Sequence, residues 1–284
     1  MKKNNCMKKI FLSACLLSAI FAGAQNKEGK AAIVEGTTLK EGKVVYERVS
    51  QLQFRTNNPE MANMVPTQRK DNFELLFGKN QSLWQNLPNP EGEGNNVIAS
   101  GGGNMVFRMA NVNEVIHSNF ETKKRVEQRD MFDREFLVED TLMELNWKLH
   151  DDTKMILNHP ARKATAQRIT TSTRTSMENG EMKRQEVSDT FQVVAWYATD
   201  IPVGAGPREY QGQLPGLILE IDENRGRTVY TAKEISPKVS LSQIKEPKGG
   251  KRMSQKEFIA ERNKLVEEMQ KNMPAGGRMR INAN

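Results

Sequence analysis

The sequence predicts a mainly β protein, built as one large antiparallel curved sheet, half-barrel or barrel-like, with a helix at its C-terminus. Two observations predict this fold. Short runs of β-branched and aromatic residues recur at close spacing with turn residues between them, which is typical of an all-β sheet. Near the C-terminus, Ser254-Gln255-Lys256-Glu257 is a capping box, which indicates the start of a helix.

The first 24 residues are organised like a secretory signal peptide. Lys8 and Lys9 precede an apolar or small stretch from Ile10 to Phe21, and Ala22-Gly23-Ala24 follows as a cleavage site. We therefore expect cleavage after Ala24 and export to the periplasm, the outer-membrane periphery or the medium. The alternatives are a lipid anchor at Cys15, before which the apolar stretch is short, and an uncleaved anchor.

Composition excludes several functional classes. Four of the 42 lysines and arginines lie in the leader, which holds no acid, so the rest of the chain carries only +3. That charge is too small to indicate nucleic-acid binding. After the leader, no apolar run approaches the roughly 20 residues of a membrane helix. Both cysteines, Cys6 and Cys15, belong to the leader, so we expect no disulfide, thiol nucleophile, cysteine-bound zinc or other cofactor.

After the leader, we expect a disordered lead-in over residues 25–41 and a β domain over residues 42–244. The β-branched and aromatic run from Gly42 to Leu52 predicts the first strand. A strand, a turn and a second strand are predicted from Phe73 to Trp84. The glycine-rich stretch from Pro88 to Gly103 is predicted to be a mobile loop, because no phosphate-binding motif surrounds its glycines.

The pattern stays extended through the middle of the chain. Leu145, Trp147 and Leu149 alternate with polar residues, which is the period of a strand with one buried face. Phe191 to Tyr197 predicts a further strand, and Leu217 to Lys233, with a turn sequence at its centre, predicts a hairpin.

The C-terminal residues differ from the β domain. Residues 245–253 are interpreted as a linker because they contain Pro247, Gly249 and Gly250. A helix is predicted over residues 254–273 and a frayed tail over 274–284. Because the linker is expected to be flexible, the sheet is expected to fold without the helix.

Residues 196–222 place prolines and glycines between two hydrophobic strands. Pro215-Gly216 is the residue pair of a type II turn, in which glycine takes a positive φ. One interpretation is a rigid corner of the sheet, in which Arg208 and Tyr210 are expected to contribute little to stability. The alternative is a preformed recognition loop consisting of Pro202, Gly204, Gly206, Pro207, Arg208, Tyr210, Gly212, Pro215 and Gly216.

This stretch resembles the signature of the GLPGLI family of exported Bacteroidetes proteins, a family without an assigned activity. A weaker likeness covers most of residues 42–236. Gln213 stands where the family usually has Gly, and His159 and Ala161 stand where a Tyr and a Cys are common. The resemblance implies export and a shared fold, and it implies no chemistry. The residues that carry it are Trp196, Tyr197, Ile201-Pro202, Gly206-Pro207, Tyr210, Gly212 and Leu214-Pro215-Gly216-Leu217-Ile218-Leu219-Glu220.

Few residues suggest chemistry. His150-Asp151-Asp152 allows a metal-site interpretation, although a solvated turn explains it more simply. Glu139-Asp140 and the pair Glu220 and Asp222 are carboxylates of the kind that perform acid–base catalysis when they share a cleft. The sequence contains no His-Glu-x-x-His and no Gly-x-Ser-x-Gly motif.

The sequence therefore favours a non-enzymatic envelope protein that binds an apolar ligand, a lipid or a partner protein. Export, β patterning and the lack of a catalytic motif support this hypothesis. The alternatives are a carboxylate-based hydrolase and an accessory component of an outer-membrane assembly that uses the C-terminal helix. Two carboxylates in one cleft would favour the hydrolase, a deep apolar cavity would favour ligand binding, and a flat surface would favour assembly.

Overall fold

The structure, a computed structural model, describes residues 38–52, 67–88, 97–98, 107–108, 113–131, 134–178 and 181–271. The predicted leader, most of the lead-in, most of the glycine-rich loop and the frayed tail lie outside these residues. Leu39, at the end of the predicted lead-in, packs against the main core.

Twelve strands form one open sheet in the order β14-β8-β7-β6-β3-β2-β1-β13-β12-β11-β10-β9, and β4 and β5 pair separately. Neighbouring strands are antiparallel except β14 and β8, which are parallel. The predicted mainly β fold with one C-terminal helix is confirmed. The strands are β1 (Gly42–Gln51), β2 (Gln68–Gly78), β3 (Gln81–Asn86), β4 (Val97–Ile98), β5 (Phe107–Arg108), β6 (Val115–Asn119), β7 (Lys124–Met131), β8 (Arg134–Thr141), β9 (Lys148–Ile156), β10 (His159–Glu178), β11 (Glu181–Ala198), β12 (Ile218–Glu223), β13 (Thr228–Ser236) and β14 (Lys251–Ser254).

Alternation along β1 assigns the two faces of the sheet. Val44, Tyr46 and Arg48 are buried, whereas the residues between them are only partly buried. We call the face that carries these three residues the inner face. The main core lies on it, and the rings of Phe73 and Trp84 stack there with centroids 4.7 Å apart. Aromatic pairs of this kind add to the free energy gained from burial.

The opposite, outer face has a smaller core. Leu76 and Leu83 are directly opposite each other in β2 and β3, and both pack against Ile244. A 3-10 helix at Leu241–Gln243 precedes Ile244. The chain between β13 and β14 therefore crosses the outer face of β2 and β3, where it buries their apolar side chains.

The linker prediction is wrong for residues 251–253, which belong to β14 and pair with β8. Gly249 and Gly250 have φ values of 100° and 73°. A Cβ at Gly250 would lie 2.6 Å from the carbonyl oxygen of Glu135. These glycines therefore allow the chain to turn and approach β8 closely, so their presence does not indicate a flexible segment.

The C-terminal helix, α1 (Gln255–Lys271), packs on the edge that β14 forms with β8. Its Phe258 and Leu265 are buried with Phe136, Val138 and Met253 in a separate core. The predicted capping box is present, because Glu257 N donates to Ser254 Oγ at 3.3 Å and Ser254 N donates to Glu257 Oε2 at 2.8 Å. In the described part of the chain, no helix has the length and apolar character needed to cross a bilayer.

Candidate functional site

Residues 199–217, which contain all of the candidate recognition loop, connect β11 to β12 and lie over the inner face of the sheet. We call them the covering segment. Five of its apolar side chains are at most 4% exposed and belong to the main core. The covering segment therefore supplies much of the core that the sheet needs on this side. The five residues are Ile201, Ala205, Tyr210, Leu214 and Leu217.

Backbone hydrogen bonds fix the covering segment. Leu217 N donates to Ile201 O at 3.0 Å, and Ile218 N donates to Ala205 O at 2.9 Å. From the sheet below, the Tyr46 hydroxyl donates to Ile218 O at 2.5 Å. Because these groups are buried, losing any of the bonds would leave a polar group unsatisfied.

The type II turn prediction for Pro215-Gly216 is wrong. Gly216 is not among the residues with positive φ. Its lack of a side chain matters for another reason, since a Cβ there would overlap the carbonyl oxygen of Ala198 and lie 3.1 Å from Tyr197 Cδ2. Gly216 thus permits close packing of the covering segment against the end of β11.

The candidate recognition residues divide by exposure. Pro202, Gly212 and Pro215 are exposed, and Gly204 and Arg208 are partly buried. The other four are buried, namely Gly206, Pro207, Tyr210 and Gly216. The expectation that Tyr210 contributes little to stability does not fit its burial, because a fully enclosed tyrosine supplies a large part of the packing around it.

A row of alternating charges runs beneath the covering segment, and we call it the ion-pair chain. It begins where Arg48 Nη2 lies 2.9 Å from Asp71 Oδ2. Arg48 Nη1 donates to Glu114 Oε1 at 3.0 Å, and Trp84 Nε1 donates to Glu114 Oε2 at 3.2 Å. Glu114 is 4% exposed, so its charge depends on these partners for stabilisation.

Arg208 continues the ion-pair chain into the covering segment. Its Nε lies 3.4 Å from Glu114 Oε1 and 3.5 Å from Glu209 Oε2. Arg168 of β10 lies between two carboxylates, with Nη2 2.5 Å from Glu209 Oε1 and Nη1 3.0 Å from Glu223 Oε1. The sequence did not reveal this arrangement, because its members come from distant strands and no local spacing connects them.

The two carboxylates beside Arg168 have opposite pKa shifts. Burial by itself would raise the pKa of Glu209, but Arg208 and Arg168 outweigh burial and hold it well below its usual value. Burial and the neighbouring charge of Glu209 raise the pKa of Glu223. The Tyr210 hydroxyl donates a hydrogen bond to Glu223. Two carboxylates with separated pKa values are the usual basis for assigning an acid and a base.

The raised pKa of Glu223 predicts a pH-dependent effect of Glu223→Gln. A carboxyl group whose pKa is raised on folding stabilises the fold below its unfolded pKa, and that contribution is lost as pH rises through the folded pKa. We therefore expect Glu223→Gln to melt above the wild type at pH 7, with the difference gone by pH 4. Thermal unfolding at the two pH values measures this. Glu121→Gln, at an exposed site, is the control, and an equal difference at both pH values would contradict the assignment.

Gln213, where the resemblance leads one to expect glycine, fastens the covering segment to the chain before β9. Its Oε1 accepts hydrogen bonds from Leu145 N at 3.1 Å and Trp147 Nε1 at 2.9 Å. Its Nε2 donates to Glu209 O at 3.2 Å. A glycine here would make none of these three bonds.

We expect Gln213→Ala to destabilise the protein by about 1–3 kcal/mol, because two partly buried donors lose their acceptor. Denaturant unfolding monitored by tryptophan fluorescence measures the change. Gln243→Ala, at an exposed position, is the matched control and should leave the midpoint unchanged. Equal midpoints for the two variants would mean that the Gln213 bonds contribute nothing.

The carboxylate pairs singled out in the sequence do not come together in one cleft. Glu139 pairs with Arg252, and Asp140 Oδ2 lies 3.9 Å from Arg125. Glu220 Oε1 lies 2.8 Å from Lys154 Nζ. Asp222 Oδ1 accepts a hydrogen bond from Gly226 N at 2.5 Å in the turn of the predicted hairpin.

The residues considered for a metal site make other contacts. His150 Nε2 lies 2.8 Å from Thr165 Oγ1. Asp151 pairs with Arg162, and Asp152 lies 3.8 Å from Lys163 Nζ. Within the described ranges, no group of three or more His, Cys, Asp or Glu side chains is arranged to hold a metal ion.

Comparison with known proteins adds a partial family match. A family model described as a protein of unknown function (Porph_ging) matches residues 147–220. The matched range begins at Trp147, which donates a hydrogen bond to Gln213, and it includes the whole covering segment. No curated protein matches the chain.

Two solved structures of PNGF-II, in C2 and P21 space groups, are each 14% identical to this chain, with TM-scores of 0.45 and 0.44. Each match covers 78% of this chain and 32% of the other. This chain thus spans about a third of the length of the solved structures that it matches.

Proposed function

We propose that this protein is an exported, non-enzymatic binding protein whose ligand is an extended segment of another envelope protein. The binding element is the part of the β10–β11 hairpin that extends past the neighbouring strands, residues 167–178 and 181–192, which we call the ribbon. The observation that carries the proposal is the length by which this hairpin extends past its neighbours in the sheet.

The register shows how far the ribbon extends. β10 and β11 pair at every position from Ala161 opposite Ala198 to Glu178 opposite Glu181. By contrast, β9 accompanies β10 only as far as Thr165, and β12 accompanies β11 only as far as Val193. Beyond Thr165, the outer edge of β10 pairs with no other strand of the described chain.

A two-stranded ribbon gains little stability on its own, and unpaired backbone groups on an edge such as that of β10 are a template for an added strand. Ile169 is 71% exposed on it. Residues 167–176 contain only two charged residues, Arg168 and Arg174, whereas β9, the last strand of the sheet on this side, contains four charges in nine residues. Charge on an edge strand discourages pairing, so β10 is the better acceptor of a partner strand.

The covering segment favours a protein partner over an apolar ligand. An apolar ligand or lipid held by such a sheet needs the inner face, and the covering segment lies over much of that face with its own apolar side chains. The signal-peptide-like leader favours a partner outside the cytoplasm.

Photo-crosslinking from the ribbon tests the proposal. A benzophenone amino acid at Thr171, which is exposed on β10, is expected to capture one defined envelope protein in the native host. The same group at Ser242, exposed on the outer face, is the control and should not capture it. Capture of a second copy of this chain, or the same products from both positions, would contradict the proposal.

Removing the ribbon is expected to leave the fold intact. Replacing residues 169–190 with Asn-Gly excises residues that pair strand to strand within the hairpin, and Asn-Gly closes a two-residue hairpin well. The melting temperature should stay within a few degrees of the wild type, while capture from a crosslinker at Gln167 should be lost. A variant that fails to unfold cooperatively would show that the ribbon belongs to the core.

A second candidate function rests on the Glu209–Glu223 pair. Arg168 contacts both carboxylates, and their pKa values are shifted in opposite directions, as in a general acid and a carboxylate base. Hydrolysis of a glycan or ester panel that disappears in Glu209→Gln, while the variant still unfolds cooperatively, would support this function. Equal turnover by wild type and variant would exclude it.

A further inference from the structure

A buried glutamine of the covering segment has an amide nitrogen without a partner. Gln211 is fully buried. Its Oε1 accepts hydrogen bonds from Ser82 Oγ at 3.0 Å and from Gly206 N at 3.2 Å. Its Nε2, which carries two hydrogens, has no hydrogen-bond partner among the described residues. A buried donor of this kind destabilises the fold unless something accepts from it.

Two further unpartnered groups lie beside Gln211. Ser82, Ser118 and Arg125 are directly opposite one another across β3, β6 and β7, so their side chains point to the same face of the sheet. Ser118 is fully buried, and neither its Oγ nor Arg125 Nε has a partner in the described part of the chain. Gln211 bonds to Ser82, so the three unpartnered donors belong to Gln211 and to the two strand positions that follow Ser82 across the inner face. We call this group the Gln211 niche.

The chemistry of the Gln211 niche selects its ligand. An amide NH₂, a guanidinium Nε–H and a hydroxyl are all donors, so the matching group supplies acceptor oxygens. The two acids near Arg125 both approach its Nη2, which lies 3.4 Å from Glu127 Oε2 and 3.9 Å from Asp140 Oδ2. The Nε of Arg125 is therefore left for another acceptor. A guanidinium donates more strongly to an anionic acceptor than to a neutral one.

We propose that the Gln211 niche binds the carboxylate of a small organic acid. One carboxylate oxygen accepts from Gln211 Nε2 and Ser118 Oγ, and the other accepts from Arg125 Nε. The ligand enters beside Arg125, whose side chain is 13% exposed, and beneath the exposed Gly212. This site is separate from the ribbon and does not depend on the proposed function.

Thermal unfolding of the full chain in sodium formate tests the niche, with ionic strength held constant by sodium chloride. Wild type is expected to show a saturable rise of several degrees in melting temperature with formate, because a ligand that binds only the folded state stabilises it. Phosphate, which is larger and tetrahedral, should give no such rise. An equal response to chloride or phosphate would overturn the proposal.

Two variants assign the response to the niche. Gln211→Glu keeps the acceptor that Ser82 and Gly206 use and places a fixed carboxylate oxygen where the amide nitrogen lies, so the formate response should vanish. Gln81→Glu makes the same change one residue from Ser82 but on the other face, where Gln81 contacts His117, and should keep the response. A formate response in Gln211→Glu equal to that of wild type would overturn the assignment.

NMR of the wild-type protein tests the proposal even if a variant fails to fold. In ¹⁵N-labelled wild type, the side-chain amide resonances of Gln211 are expected to shift with formate along the same saturation curve as the melting temperature. Resonances of Gln211 that do not move while the melting temperature rises would place the formate elsewhere and overturn the proposal.

Discussion

Replacing Gly216 with alanine is expected to destabilise the protein by about 3 kcal/mol, the upper end of the usual cost of overpacking, because the contact is with rigid backbone. The added Cβ would overlap the carbonyl oxygen of Ala198, which is itself fixed at the end of β11. Neither side of this contact is a flexible side chain, so the strain can be relieved only by moving the covering segment. Denaturant unfolding of the variant measures the loss.

Gly226→Ala is the control that separates crowding from backbone conformation. Gly226 has a φ of 83° and no atom within 4 Å of its Cβ position. Alanine there should cost only the left-handed backbone penalty of about 1–2 kcal/mol. If Gly216→Ala costs no more than Gly226→Ala, close packing against Ala198 is not the reason for glycine at position 216.

The second large effect is expected for Glu114→Ala, at about 3–5 kcal/mol. Removing one member of a buried ion pair leaves its partners as uncompensated charges. Glu114 is the acceptor for Arg48 and Trp84 and lies 3.4 Å from Arg208, so three groups lose an interaction together. For a chain of this size, each kcal/mol lowers the melting temperature by about 2–4 °C, which calorimetry detects easily.

An exposed ion pair provides the comparison for Glu114. Glu144 Oε1 lies 2.7 Å from Lys123 Nζ, and both side chains are at least 68% exposed. Exposed pairs contribute little to stability because water and salt screen them. Glu144→Ala should therefore leave the melting temperature unchanged. An equal loss in the two variants would mean that burial of the ion-pair chain is not the source of the effect.

Local patterns predicted most of the secondary structure correctly. The turn after Phe77, the hairpin centred on Arg225 and the capping box at Ser254 each depend on a few adjacent residues, whose intrinsic preferences the sequence displays directly. The C-terminal strand was missed because Gly249 and Gly250 also fit a flexible linker. Only the position of Glu135 in β8 shows that glycine is needed here because the chain passes close to that residue.

The candidate site was much less predictable than the fold. Arg168 and Glu223 lie on β10 and β12, which are separated along the chain, and only the strand order brings them together with Glu209. Adjacent carboxylates such as Glu139-Asp140 attracted notice in the sequence, but neighbours in a strand point to opposite faces. Charged pairs in a sheet are therefore better looked for between residues on different strands, because the strand order and register decide which of those residues meet.

Amide hydrogen exchange tests the central claim, that the covering segment is part of the core and is not a mobile recognition loop. The amides of Leu217 and Ile218 donate to buried carbonyls within the covering segment. They are predicted to exchange only through global unfolding, with an opening free energy equal to that of the whole domain. Opening free energies near zero at these two amides would identify a mobile loop and contradict the account.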